Sequence, residues 1–228
     1  MQAAGKTIAF LLFCATVVWA QSPEVTPDRD GVYPKAGGVK EAKLVHAVPA
    51  VVPGDLASLR RVTALLVVVG PDGTPTTIQV ANQEPSPLDE AAIAAVRKSQ
   101  FVAGSLEDKA VATRLMVWVP FVGDDQPSVP VAGLPKTVKN LTSPKSLFTP
   151  EADYPEDARR RRITGSVVIE MLVREDGKPV NVHAVTYPGA GLDQQAVKST
   201  SRYVFNPATL DGIPVPWLMT VEVSFRLR

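Results

Sequence analysis

The chain has 228 residues, with 24 Lys and Arg against 23 Asp and Glu, a net charge of +1, and one cysteine, Cys14. Near neutrality argues against nucleic acid or another polyanion as partner, because such binding rests on clustered cations. A single cysteine excludes a disulfide framework and a cysteine-based metal site, so each domain must be held by its own apolar core.

Residues 1–20 carry one cation, Lys6, and then an almost wholly apolar run from Ile8 to Ala20. As a helix, a run of about 13 residues spans roughly 20 Å, short of the ~30 Å hydrocarbon layer. Val18-Trp19-Ala20 suits a signal peptidase, which would leave Gln21 as the new N-terminus. Two readings stand: residues 1–20 are a cleaved signal peptide, or they are an uncleaved anchor. In the first the protein is exported, and the lack of cysteine after residue 20 suits an oxidising compartment.

Residues 21–46 are rich in Pro, Gly, Asp and Lys without apolar periodicity, and are predicted to be a disordered lead-in. A first domain is expected over 47–122. Asp55–Arg61 reads as a short helix. Ala64–Val69 and Thr76–Val80 then flank Gly70-Pro71-Asp72-Gly73, a hairpin signal because Gly takes positive φ at no steric cost. Ser86-Pro87-Leu88-Asp89 opens a helix whose Leu88, Ala92, Ile93 and Val96 form one apolar stripe. Leu115, Val117, Val119 and Phe121 alternate as a last strand, with Arg114, Met116 and Trp118 on its other face. Pro120 cannot donate to a ladder, so that strand lies at a sheet edge or pairs poorly there. Residues 123–146, rich in Pro, Gly, Asp and Ser, read as a semi-stiff linker.

The second domain, over 147–228, repeats the first in register. Asp72-Gly73 recurs 104 residues later as Asp176-Gly177, and the same offset relates Leu88-Asp89 to Leu192-Asp193, Phe101 to Phe205, and Val117, Val119, Phe121 to Val221, Val223, Phe225. Chance does not hold one offset across two strands and a helix. Tyr154-Pro155-Glu156-Asp157 starts a helix, Gly165–Val173 and Pro179–Val185 form the hairpin, and Leu192–Ser201 is the second helix. Phe205–Pro214 reads as a loop, and Leu218–Arg228 as the last strand, with Met219, Val221, Val223, Phe225 and Leu227 facing in. The fold class is α+β: two tandem small domains, each a three-stranded antiparallel sheet packed with two helices in the order α-β-β-α-β.

No catalytic pattern emerges. The two histidines, His46 and His183, have no Cys or His at ligand spacing, so no metal or cofactor is expected. No nucleophile elbow, phosphate loop or dinucleotide fingerprint occurs, and the chain reads as a non-enzyme. Arg159–Arg162 can be a clamp for an acidic partner or a solvated helix face balanced by Glu151, Asp153, Glu156 and Asp157. Trp118 can mark a partner or inter-domain contact, or lie half-covered by the linker. Trp217 reads as a local packing anchor.

Tyr154-Pro155, Gly165, Asp176-Gly177, Leu192-Asp193 with Ala196, Phe205 with Pro207-Ala208, Gly212 with Pro214-Val215, and Val221–Phe225 together resemble the C-terminal domain of the TonB family. The first copy keeps Pro53, Asp72-Gly73, Leu88-Asp89 and Phe101, but has Val52 in place of the tyrosine and lacks the Gly-x-Pro loop, so it resembles a diverged member. The resemblance implies a periplasmic or cell-envelope adaptor that grips the plug segment of an outer-membrane TonB-dependent transporter by strand addition, in energy-dependent transport. Carried onto this sequence, the contact residues are Tyr154, Pro155, Met219, Val221, Val223 and Phe225. Inner-membrane motor proteins become partners if the N-terminal segment stays as an inner-membrane anchor. The alternative is a non-transducing periplasmic scaffold whose sheet edges form a homodimer.

Overall fold

Two hairpins set the architecture. In the computed structural model, which describes residues 25–52, 54–56, 58–121, 127–133 and 138–227, Gly73 and Gly177 both take positive φ, +83° and +78°. Each turn closes identically: Gly70 and Thr74 are bonded at 2.8 Å in the first, Arg174 and Lys178 at 3.0 Å in the second. The aspartate of each turn accepts the main-chain N–H two residues on, Asp72 from Thr74 and Asp176 from Lys178, both at 3.0 Å. Those contacts hold the Asp72 carboxyl below its ordinary range. At Asp176 partial burial pushes the other way, and the Lys178 N–H with the charges of Arg174 and Lys178 outweighs it.

Around the hairpins the chain runs β1 (Lys43–His46), β2 (Arg61–Val69), β3 (Pro75–Val80), α1 (Asp89–Lys98), β4 (Gln100–Val102), β5 (Gly104–Leu106), β6 (Lys109–Val111) and β7 (Thr113–Phe121). It continues with β8 (Leu141–Thr142), β9 (Lys145–Phe148), α2 (Glu156–Arg160), β10 (Gly165–Val173), β11 (Pro179–Ala184), α3 (Leu192–Thr200), β12 (Val204–Asn206), β13 (Ala208–Leu210), β14 (Ile213–Val215) and β15 (Trp217–Phe225). The main sheets are antiparallel, ordered β3-β2-β7 and β11-β10-β15, so the last strand of each copy lies at an edge.

Alternation decides what each face meets. In the first copy Leu65, Val67, Val69, Val117 and Val119 pack against Leu88, Ala92 and Val96 of the helical stripe. In the second, Val167 and Ile169 pack against Ala158, Leu192, Ala196 and Phe225, while Met171 and Val173 meet Phe205. The hairpin and β12 touch closely: a Cβ on Gly177 would collide with the Phe205 carbonyl, which explains the glycine beyond its φ.

The opposite faces pack on each other. Val62, Ala64, Met116 and Trp118 of the first copy join Leu172, Ala208, Leu210 and Val215 of the second in one apolar cluster. Trp118 stacks on Trp217 at 5.2 Å between centroids and donates its indole N–H to the Pro216 carbonyl at 3.2 Å. Beside them Arg114 donates to the Glu170 carboxylate at 2.9 Å and also pairs with Asp28. Glu170 is 2% exposed, and Arg114 from the other copy is the arginine that faces it.

Several expectations are corrected. The segment expected to be a disordered lead-in is ordered where described: β1 pairs with β4, and Lys40 bridges Ser105. In the stretch expected to be linker, Ser128 bridges Ala50, Val131 bridges Trp118, and β8 and β9 pair with β13 and β12. The expected helix over Asp55–Arg61 is a single 3-10 turn, Gly54–Leu56, and Arg61 already belongs to β2. The loop after Phe205 is drawn into β12, β13 and β14. Trp217 is an inter-copy contact, and Leu227 is 38% exposed beyond the end of β15. The leader over 1–20 lies outside the described residues.

Three outcomes follow from the packing. Gly177→Ala should lower the stability of the full chain in urea by about 1–3 kcal/mol or more, from collision plus strain. Gly212→Ala, at the matching φ of +80° with open space around it, should cost about 1 kcal/mol. Arg114→Ala should cost about 3–5 kcal/mol, because it leaves Glu170 buried without its cation; a loss below about 1 kcal/mol by thermal or urea unfolding would contradict that account.

Candidate functional site

The two edge strands differ in what covers them. On β7 every residue except Arg114 and Pro120 is buried, whereas on β15 only Phe225 is. The difference begins in the main chain. Trp118 exchanges both of its main-chain bonds with Val131 at 2.8 Å, and Tyr33 donates to the Ala112 carbonyl at 2.8 Å. The first copy's edge is thus filled by its own flanking segments.

At the matching place in the second copy, Glu222 stands opposite Val168. Val168 commits its N–H to Thr186 Oγ1 and its carbonyl to Val185 N–H, both at 2.8 Å, on the β11 side. Its partner Glu222 therefore turns N–H and C=O away from β10, and by alternation Thr220 and Ser224 do the same. Among the described residues no main-chain group pairs with them. Pro120 occupies the first-copy position equivalent to Ser224, which removes one outward donor there without disturbing the ladder to β2.

Along this open edge lies a groove of about 1040 Å3, lined among others by Glu151, Tyr154, Arg159, Glu222, Ser224 and Arg226. Tyr154 meets Phe225 edge-to-face at 5.8 Å and donates its hydroxyl to the Ile163 carbonyl at 2.6 Å. The Arg159 guanidinium lies 5.9 Å from the Tyr154 ring centre. Pro155 sits at the N-cap of α2 in extended conformation. Of the sequence-predicted contact residues, Tyr154, Val223 and Phe225 line the groove. Met219 and Val221 pack instead against the buried cluster of Met171, Val173 and Phe205. Thr220, Glu222 and Ser224, which carry the outward main chain, are absent from the sequence-based set. The alternation that marks inward side chains does identify them, as the intervening residues of the same strand.

The arginine run supplies internal pairs rather than a converging cluster: Arg159 reaches Glu156 at 3.5 Å, and Arg160 and Arg161 reach Asp157 at 3.3 and 3.2 Å. The Arg161 hydrogen bond, followed by the two arginine charges, holds the Asp157 carboxyl below its usual range against a small opposing desolvation. His183 lies on the hairpin, half-exposed, with its ring 3.5 Å from Glu170. Among the described residues no group of three potential metal ligands comes together.

A model of the family described as the Gram-negative bacterial TonB protein C-terminal matches residues 62–122 and 150–227, more than half of the chain. The chain belongs to the TonB C-terminal family. Protein TonB of Vibrio cholerae serotype O1 (strain ATCC 39315 / El Tor Inaba N16961) is 32% identical over 76 residues, 33% of this chain and 31% of that protein. The match thus spans about a third of that TonB protein's length. The first matched segment runs from β2 to just past β7, and the second from ahead of α2 to just past β15. Among the described residues no helix is long and apolar enough to cross a membrane.

The Tyr154 hydroxyl is committed to the fold. Tyr154→Phe keeps the ring on Phe225 and removes the bond to Ile163, so a loss of about 0.5–1.5 kcal/mol in thermal unfolding is expected. No change would mean that the hydroxyl is free to serve a partner instead.

Proposed function

We propose that the chain is a TonB-like adaptor of the cell envelope that takes an extended segment of an outer-membrane transporter as an added strand on β15, in energy-dependent transport. The observation that carries this reading is the open edge of the second copy. Outward N–H and C=O groups at Glu222 and Ser224 border a groove along the strand, and Thr220, further along the same edge, gives its hydroxyl to the Lys35 carbonyl at 3.2 Å. In the first copy a short stretch of the chain itself occupies the equivalent place, Val131 on Trp118. Membership of the family supports the role in transport, and the partner is named by that role.

Side-chain chemistry around the groove agrees with an extended partner. Phe148 and Val204, paired across β9 and β12, are 57% and 39% exposed beside the groove. The first copy has His46 and Gln100 at the corresponding pair. The first copy's exposed apolar residues on these strands are Val45 and Val102 instead. The same edge fits a second copy of the chain equally well, which keeps a dimerising, non-transducing scaffold as the alternative reading. Coupling to inner-membrane motor proteins would depend on residues 1–20 remaining attached.

Ser224→Pro tests the proposal with little risk to the fold, because the first copy already carries Pro120 at that position. The full chain should bind synthetic peptides copying transporter plug segments in calorimetry. The variant should bind them about three- to tenfold more weakly, the share of one hydrogen bond, with its melting temperature nearly unchanged. Equal affinity in the variant, or no binding by the native chain, overturns the reading. Concentration-dependent dimers in sedimentation, weakened by Ser224→Pro while no peptide binds, would establish the scaffold instead.

A further inference from the structure

A second cavity, sharing no lining residue with the groove, opens between the two copies where the edge of β7 approaches the start of β15. We propose that it is a binding site for a small organic anion with a flat apolar body. Its volume of about 490 Å3 falls within the range of small-molecule sites, and its apolar lining with a few polar groups at the mouth is typical of them. Trp217, stacked on Trp118, forms the aromatic floor together with Leu218. Lys35, Lys40 and Lys43 line the cavity against one carboxylate, Glu41. Lys35 is paired with Glu41 at 2.6 Å, and Lys40 reaches the exposed Asp108 at 3.7 Å. Lys43 has no acidic partner among the described residues, so the lining keeps a net positive charge beside a flat apolar surface.

The main chain supplies an independent sign of a missing occupant. Tyr33 takes the Ala112 carbonyl, and Val131 takes both groups of Trp118. Met116 lies between these contacts on the same edge, 6% exposed, with its N–H and C=O turned outward by the same alternation. Among the described residues nothing hydrogen-bonds to them. Buried main-chain groups seldom stay unpaired, and where they line a cavity they mark the seat of water or of a ligand's polar atoms. An anion would place its charged group among the lysines, its ring on Trp217, and a polar atom within reach of Met116.

The test uses the full chain with Trp19→Phe, so that indole emission comes only from Trp118 and Trp217, since the chain has three tryptophans. The probes are 1-anilinonaphthalene-8-sulfonate and N-phenyl-1-naphthylamine, the same rings without the sulfonate. The sulfonate should bind at one saturable site per chain with energy transfer from tryptophan, and the neutral probe at least about fivefold more weakly. Lys43→Glu, at an exposed position, should weaken the sulfonate by about fivefold and leave the neutral probe unchanged. Ala132→Phe, which fills the cavity, should abolish binding of both. Absence of saturable transfer, equal affinity for the two probes, or binding that survives Ala132→Phe overturns the proposal. Circular dichroism and melting of both variants separate loss of the site from loss of the fold.

Discussion

The structure depends on one requirement, that a β-sheet apolar on both faces must be covered on both. A single helix layer covers one face of each three-stranded sheet, with Leu88, Ala92 and Val96 in the first copy and Leu192 and Ala196 in the second. The other face carries Val62, Ala64, Met116 and Trp118, or Leu172 and Leu218, and has no helix of its own. Stacking the two copies face to face buries both remainders at once. The Trp118–Trp217 contact lies within this seam, to which β13 and β14 add Ala208, Leu210 and Val215.

That arrangement explains why the two edges have different fates. With its outer face covered, β7 is also overlaid by the segments that enter and leave the first copy, and its hydrogen-bonding capacity is largely spent at Tyr33 and Val131. On β15 the outward main-chain groups have no main-chain partner among the described residues. An open edge is ordinarily a hazard for association. Here it is retained beside a groove.

Much of this was legible in the sequence. Asp72-Gly73 and Asp176-Gly177 mark turns whose geometry is local, and the alternation of Val167, Ile169, Met171 and Val173 marks a strand with one face in a core. Pro120 marked β7 as an edge or a poorly paired strand. The short strands β1, β8, β9 and β12 were not legible, because their pairing is non-local: Leu44 finds Phe101, and Ser146 finds Phe205. Isolated stretches such as Lys145–Phe148 carry no periodicity long enough to read. At the groove, the sequence identified the right strand but pointed to its inward side chains. Which main-chain groups face outward depends on the register with β10, and there Val168 and its bonds to Thr186 and Val185 decide it.

The ion pair between Arg114 and Glu170 bears on how a tandem array of this kind persists. After a duplication, two identical copies are each dispensable and either can be lost. Once one copy carries a buried carboxylate whose counter-charge resides on the other, deletion of either partner leaves an uncompensated group and an uncovered apolar face. The two units are then tied together: neither can stand alone without several simultaneous changes. The first copy is thereby free to lose its own edge while remaining indispensable to the second.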